Sequence, residues 1–99
     1  MEKNKPHHSR DEIKRLIGEG KASVTMTAIR DGFALGMDRD CILEMACSLT
    51  SEDFYKSMTS NSDHRSWQDV YHPTTPEGLV IYLKLTITDG VLILSFKEK

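Results

Sequence analysis

The stretch from Val80 to Lys97, VIYLKLTITDGVLILSFK, decides the fold. Up to Ile87 it alternates apolar and polar residues with a period of two, which is typical of a strand with one buried face. Asp89-Gly90 then predicts a hairpin with a type I′ turn, in which both residues take positive φ. A second strand, Val91–Lys97, follows the turn. The alternation predicts that the buried side carries Ile81, Leu83, Leu85, Ile87, Leu92, Leu94 and Phe96.

Two further strands are predicted upstream, over residues 53–59 and 65–71. The polar turn Ser60–Asp63 joins them. The loop His72–Gly78 follows, and its two prolines exclude it from the centre of a sheet. Four consecutive strands with short links favour an antiparallel meander.

The first fifty residues have the apolar period of helices, about 3.6. One helix follows the capping box Ser9–Glu12 and ends at Gly18 and Gly20. A second fits residues 25–35, with Gly36 after its end. Its apolar stripe is Met26, Ile29 and Phe33.

A third helix fits residues 39–49, with Asp38 as its N-cap. We expect Ile42, Met45, Ala46 and Leu49 to be buried and Glu44 to face out. The whole pattern predicts an α+β fold in one domain, residues 1–99. An antiparallel sheet of about four main strands lies in the C-terminal half, and three N-terminal helices pack on one of its faces.

Composition excludes several classes of protein. The chain has 38% hydrophobic and 28% charged residues, so it is not a disordered chain of low hydrophobicity. It has neither a run of 18 apolar residues nor a secretory signal, which predicts a cytosolic protein without a membrane span. The net charge of −2 argues against extensive non-specific binding of nucleic acid.

Other candidate sites are weaker. His7 and His8 are expected on a flexible, solvated arm, and the pattern leaves open whether His64 contacts a ligand or lines a turn. No spacing of histidines typical of a metal site occurs, so no metal is predicted. Cys41 and Cys47 fall on different faces of their helix and are expected to be buried, inert thiols. The helix 39–49 is too apolar to read DNA bases.

The sheet face away from the helices is the best candidate for a functional site. Tyr82 and Lys97 are expected there, and in one of the two possible registrations Lys56 and Gln68 join them. Two ammonium groups, an amide and a phenol suit a phosphodiester. The commoner interpretation is that such lysines aid solubility and such tyrosines pack, and periodicity alone leaves this choice open.

A resemblance to a known family selects the first interpretation. Asp53–Thr59, Ser62–His64 and Trp67–Tyr71 closely resemble the MqsR family, toxins of a bacterial type II toxin–antitoxin system. The similarity extends to Tyr82–Lys84, to Ser95–Lys99 and to the opening Met1–Lys3 with Pro6-His7. It implies a RelE-like fold and an endoribonuclease that cleaves mRNA without the ribosome, with a preference for sites containing a GC step.

The resemblance also implies residue roles. The catalytic residues would be Lys56, Gln68, Tyr82 and Lys97, and the substrate-binding residues would be Tyr55, Met58, Lys84 and His72. The sequence departs from the family in three places. His72 replaces an arginine, Asp89-Gly90 replaces a turn containing histidine, and the loop 73–80 is about one residue longer. These departures bear on substrate contacts rather than on the chemistry.

The expected mechanism is attack of a ribose 2′-hydroxyl on the adjacent phosphorus, without a metal or other cofactor, leaving a 2′,3′-cyclic phosphate. Either Tyr82 or a lysine would act as the base. The resemblance further implies a partner, a zinc-binding, helix-turn-helix antitoxin of the MqsA kind, through which alone the toxin would reach DNA. The rival hypothesis is a catalytically silent, regulatory binding protein of a toxin–antitoxin complex.

Overall fold

The computed structural model describes residues 1–60, 62–63 and 65–99. It confirms the α+β class, with three helices and one six-stranded sheet in the order β1-β3-β4-β5-β6-β2. The helices are α1 (Arg10–Gly18), α2 (Met26–Ala34) and α3 (Arg39–Cys47). The strands are β1 (Glu2–Lys3), β2 (Ala22–Val24), β3 (Phe54–Thr59), β4 (Trp67–Tyr71), β5 (Ile81–Ile87) and β6 (Val91–Glu98).

The four long strands, β3 to β6, form the antiparallel meander that the alternation predicts. The structure adds two short edge strands: β1 is antiparallel to β3, and β2 is parallel to β6. They have two and three residues, too few for a period to be recognised. The predicted turn over residues 60–63 includes residue 61, which lies outside the described residues, as does His64.

The turn between β5 and β6 differs from the prediction. Neither Asp89 nor Gly90 has positive φ, so the predicted type I′ turn is wrong. The last paired residues are Ile87 and Val91, which leaves a loop of residues 88–90. The amide of Val91 donates to the carbonyl of Lys21 at 2.9 Å, and a Cβ on Gly90 would lie 2.5 Å from that oxygen. Glycine is therefore needed here for close backbone approach rather than for its φ.

A β-bulge in β6 reverses the predicted alternation. Lys84 pairs with Ser95 but Leu85 pairs with Ile93, so Leu94 is the extra residue. Upstream of the bulge, Val91 and Ile93 enter the core, whereas the predicted core residues Leu92 and Leu94 are only half-buried and lie outside it. The prediction for Phe96, on the other side of the bulge, is confirmed.

The predicted helix caps are confirmed. The side chains of Ser9 and Asp38 accept hydrogen bonds from the amides of Glu12 and Cys41 at 3.0 and 2.9 Å. Gly36 has φ of +78° and follows α2, where the amide of the next residue, Met37, donates to the carbonyl of Gly32, as in a Schellman motif.

Helix α2 packs through a face that overlaps the predicted stripe only at Ile29. Met26 and Phe33 are 81% and 73% exposed, whereas Ala28 and Gly32 are buried. A Cβ on Gly32 would lie 2.7 Å from Cδ1 of Ile42, so α2 approaches α3 through its smallest residues. The apolar period located the helix correctly, and Ile29 of the predicted stripe packs against the core, but the prediction was wrong for Met26 and Phe33.

The helices and one sheet face enclose the core, as predicted. The buried residues of α1 and α3, such as Ile13 and Ile42, join Leu83, Leu85 and Phe96 of the sheet in one cluster. Cys41 is exposed and Cys47 half-buried, so the prediction that both thiols are buried is wrong. Over the described residues, the helices are too short and too polar to cross a membrane.

Candidate active site

The sheet face opposite the helices carries the polar side chains singled out by the sequence. Leu83 and Leu85 of β5 point into the core, so Tyr82 and Lys84 point the other way. We call this side the open face. It carries Lys56, Met58, Gln68, Val70, Tyr82, Lys84 and Lys97, as the pairing of β3 to β6 shows.

Lys56 and Lys84 lie in one row across three strands. Val70 of β4 pairs with Lys56 on one side and with Lys84 on the other, and paired residues share a face. Neighbouring strands are about 4.8 Å apart, so the two lysines are about 10 Å apart at the backbone. Their flexible side chains can therefore reach one phosphate group between them.

Tyr82 and Lys97 form the adjacent row. They are directly paired between β5 and β6, and Nζ of Lys97 lies 5.4 Å from the centroid of the Tyr82 ring. Tyr82 is two residues from Lys84, which places the two rows side by side. The phenol and the ammonium of Lys97 thus lie on the same face as Lys56.

Gln68 lies at the other end of this face, where it pairs with Met58. A cavity of about 410 Å³ elsewhere in the molecule lies between α3 and the loop after β4, away from these residues. The cavity next to Gln68 is smaller, about 280 Å³. Its lining consists of Met58, Thr59, Ser60, Ser62, Gln68 and Lys84. The amide and the Lys84 ammonium therefore both face a space open to a ligand.

A bulge in β3 presents Tyr55 beside this face. The register shifts between Phe54 and Lys56, and Phe54 packs against the core while Tyr55 is 53% exposed. The Tyr55 ring stacks on His72 with centroids 4.4 Å apart and planes 22° apart. His72 in turn lies 5.8 Å from the ring of Tyr82. The three rings thus run from β3 to β5 by way of His72, the residue that follows β4.

Lys56 is paired with a residue that sequence reasoning missed. Its Nζ donates to Oε2 of Glu2 at 2.6 Å, and this hydrogen bond raises the pKa of Lys56 and lowers that of Glu2. Lys56 is therefore held in its ammonium form. Periodicity could not have found Glu2, because β1 has only two residues and lies far from β3 in the chain. The family resemblance includes the segment Met1–Lys3 but assigns Glu2 no role.

The pKa of His72 is shifted so that its neutral form is favoured, whereas the shift at Lys56 favours the charged form. Burial, followed by the nearby charge of Lys99, lowers the pKa of His72 below its ordinary value of 6.5. The imidazole is therefore neutral at pH 7, with one nitrogen that donates and one that accepts a hydrogen bond. The neutral His72 ring can therefore stack on a nucleobase without adding a positive charge to the site.

Residues 1–9, the N-terminal arm, are bound to the sheet, so the predicted flexible arm is wrong. The carboxylate of the fully buried Asp69 accepts hydrogen bonds from the amides of His7 and His8 at 3.0 and 2.9 Å. The His7 ring stacks on Trp67 with centroids 5.5 Å apart, and Nζ of Lys3 lies 4.1 Å from the same ring. These contacts lie on the side of β4 opposite Gln68.

Metal ligands are not grouped in the part of the chain that the structure describes. No three histidine, cysteine, aspartate or glutamate side chains come together there in a way that could hold an ion. The histidines have other contacts: His7 and His72 stack on aromatic rings, and Nε2 of His8 lies 3.4 Å from the amide of Ile87.

Comparisons with known proteins agree with the resemblance seen in the sequence. A family profile described as "Motility quorum-sensing regulator, toxin of MqsA" matches residues 5–98. The chain is also similar to the mRNA interferase toxin MqsR of Escherichia coli (strain K12). The two are 46% identical over 99 residues, which is all of both chains.

Proposed function

Because the chain belongs to the MqsR toxin family, we propose that it is an mRNA interferase, an endoribonuclease that cleaves single-stranded mRNA. Cleavage stops translation and growth until an antitoxin neutralises the toxin. The reaction needs neither the ribosome nor a metal ion, occurs in the cytoplasm and prefers sites containing a GC step. The similarity over the whole length of the Escherichia coli toxin supports this proposal.

One observation carries the proposal: two lysines, a glutamine and a tyrosine share the open face. Lys56, Gln68, Tyr82 and Lys97 come from four different strands, and the register brings them to one side. Cations and hydrogen-bond donors suit the negative charge that grows on a phosphate during cleavage. RNA, which carries a 2′-hydroxyl next to each phosphodiester, is the substrate on which such a set can act without another nucleophile.

The reaction is an internal transphosphorylation. The 2′-hydroxyl oxygen forms a bond to the adjacent phosphorus while the bond from phosphorus to the 5′-oxygen breaks. The 2′-proton passes to a base on the enzyme, and a proton from an acid reaches the departing 5′-oxygen. The products are a 2′,3′-cyclic phosphate and a free 5′-hydroxyl, with no net change in protons or electrons.

Lys56 acts in this scheme as a cation. The carboxylate beside it raises the pKa of Lys56, so Lys56 is a poor base at neutral pH. Together with Lys97 it stabilises the charge on the non-bridging oxygens. Tyr82 and Lys97 are then the two candidates for the base: if Tyr82 takes the proton, Lys97 stays an ammonium in the role just given, and if Lys97 takes it, Lys56 alone stabilises the charge. Gln68 orients the ribose or a non-bridging oxygen.

The remaining open-face residues bind substrate. The stacked rings of Tyr55 and His72 form a platform for a nucleobase, and such stacking contributes about 1–3 kcal/mol per base in single-strand binders. Met58 and Lys84 line the cavity beside Gln68 and contact a neighbouring nucleotide. Where the family has arginine, the neutral His72 here stacks without adding a phosphate contact.

The partner of this toxin is an antitoxin of the MqsA kind, which binds zinc and carries a helix-turn-helix. The family description, "toxin of MqsA", supports it. The toxin has a net charge of −2 and α3 places Ile42 and Ala46 in the core, so DNA binding belongs to the antitoxin. The toxin then reaches DNA only through the complex.

The test is cleavage of a 5′-labelled single-stranded RNA in excess EDTA. We expect discrete fragments that end in 2′,3′-cyclic phosphate. Lys56→Ala should lower the rate by about 100- to 1,000-fold, the usual effect of removing one donor to a transition-state oxyanion. Lys14→Ala, which removes an exposed lysine of α1, is the matched control and should cleave at the wild-type rate.

Two results would contradict the proposal. If a folded wild-type chain leaves the RNA intact, the protein is a silent regulatory binding protein or needs the ribosome, and an assay on translating ribosomes separates these. If a substrate with 2′-deoxyribose at the cleavage site is cut at the same rate, the 2′-hydroxyl is not the nucleophile and the mechanism is wrong.

A further inference from the structure

Glu2 lies at the edge of the candidate active site, and neither the family resemblance nor the comparisons give it a role. We propose that Glu2 is a positioning residue that fixes the Lys56 ammonium on the open face for contact with the scissile phosphate. The inference rests on the proposed function, because it needs Lys56 to touch the substrate.

The register of β1 explains how the carboxylate reaches Lys56. Glu2 pairs with Met58, an open-face residue, so the Glu2 side chain also lies on the open face. Lys56 is two residues from Met58 on the same strand and the same face. The two charged groups meet at 2.6 Å, and the ammonium also lies 5.4 Å from the ring of Tyr55.

The rest of the arm keeps Glu2 in this place. The terminal amino group of Met1 donates to Oγ1 of Thr59 at 3.0 Å, and Lys3 pairs with Ser57. Farther along, Asp69 binds the arm through the amides of His7 and His8. Glu2 is therefore held on both sides and is not a side chain on a free end.

The pairing leaves Lys56 able to bind a phosphate. An ammonium group has three N–H donors, so one can stay on Glu2 while the others turn to the substrate. A flexible lysine fixed in this way loses less freedom when the transition state forms. The carboxylate also places a negative charge close to the phosphate, which weakens ground-state binding. Glu2 should thus raise kcat and raise KM together.

An ordinary surface ion pair would change neither kcat nor KM. Exposed pairs typically contribute only about 0–1 kcal/mol to stability, and a pair that lies away from the substrate has no means of changing kcat. Here the Glu2 side chain is 59% exposed but that of Lys56 only 25%, so the partly buried member is the proposed catalytic one. Measured values of kcat and KM therefore distinguish a positioning role of Glu2 from a purely structural one.

The experiment compares the wild-type chain with Glu2→Gln, Glu2→Asp and Glu44→Gln. Glu44→Gln removes the same charge from the exposed side of α3 and serves as the control. Steady-state cleavage of single-stranded RNA gives kcat and KM. Binding of the uncleavable 2′-deoxy oligonucleotide, measured from low to high salt, gives the number of phosphate contacts.

We expect Glu2→Gln to lower kcat by about 10- to 100-fold, as displaced catalytic groups do. Its KM should fall by roughly threefold as the negative charge disappears. Because Lys56 already contacts the phosphate in the wild-type complex, Glu2→Gln should leave the slope of log affinity against log salt unchanged, whereas one added contact with a single strand would change it by about 0.7. Glu2→Asp keeps the charge but is one methylene shorter, so only kcat should fall.

The inference is overturned if Glu2→Gln leaves kcat within twofold of wild type or raises it. A rise would identify the carboxylate as a competitor of the phosphate rather than a positioning group. A slope steeper by about 0.7 would also count against it, because Lys56 would then contact a phosphate only after Glu2 is removed. If the wild-type chain itself does not cleave RNA, the proposed function is wrong. That outcome differs from the one in which the wild type cleaves RNA and only the role of Glu2 is refuted.

Discussion

Asp69 fastens the N-terminal arm to the sheet, and its replacement by asparagine tests this directly. The buried carboxylate accepts two backbone hydrogen bonds, from His7 at 3.0 Å and from His8 at 2.9 Å. Asparagine has the same shape, but only one of its two terminal atoms can accept. The other would direct an N–H group at a backbone N–H group.

The expected loss of stability follows from these two bonds. A hydrogen bond to a charged group contributes about 1.5–3 kcal/mol, and a neutral one about 0.5–1.5 kcal/mol. One bond is lost and the other becomes neutral, so Asp69→Asn should lower the free energy of unfolding by about 2–4 kcal/mol. For a chain of this size each kcal/mol lowers Tm by about 4–8 °C. The fall in Tm should therefore be at least about 8 °C.

Urea denaturation gives the change in stability, and amide hydrogen exchange gives its location. In Asp69→Asn the amides of His7 and His8 should exchange faster than those of β5, because the arm detaches before the sheet opens. Asp31→Asn, on α2, is the control and should change stability by less than about 0.5 kcal/mol. A loss below about 1 kcal/mol in Asp69→Asn, with both amides still protected, would refute the argument.

Three further predictions concern other parts of the molecule. Gly32→Ala should destabilise the fold by about 1–3 kcal/mol in urea, because the added Cβ would lie 2.7 Å from Ile42; an unchanged midpoint would show that the two helices can move apart. Stability should fall as the pH drops below about 6.5, because burial lowers the pKa of His7 and of His72, and the folded state therefore binds fewer protons than the unfolded chain. Replacing both histidines by glutamine should flatten this slope between about pH 6.5 and 5, and a slope that persists would assign it to other groups. Tyr55→Ala should weaken binding of a 2′-deoxy oligonucleotide by about 1–3 kcal/mol in a fluorescence titration while the phenylalanine variant binds normally; equal binding by both would exclude base stacking.

Periodicity predicted the elements whose side chains alternate over many residues. The hairpin of β5 and β6 has a long alternation, and Tyr82 and Lys97 fell on the predicted face for that reason. The bulge at Leu94 could not be predicted, because one inserted residue changes the pairing without changing the composition. Part of the packing face of α2 was not predicted, because α2 approaches α3 at Gly32. Glycine has no side chain, so an apolar pattern does not include it.

Periodicity also predicted only part of the candidate site. Lys56 and Gln68 belong to strands whose two faces periodicity could not tell apart, and the family resemblance supplied the choice. Glu2 and Asp69 could not have been found, because their partners are far away in the chain and the hydrogen bonds depend on the folded arm. Polar contacts between residues that are far apart in the chain produce no periodic pattern in the sequence.

The pairing of β1 with β3 has a consequence for biosynthesis. Glu2 is synthesised before its partners on β3, and Lys97 of β6, which pairs with Tyr82 of β5, follows later still. At roughly 5–20 residues per second, the nascent chain spends several seconds without a complete set of these residues. A nascent chain therefore lacks part of the proposed catalytic set until Lys97 of β6 has been added.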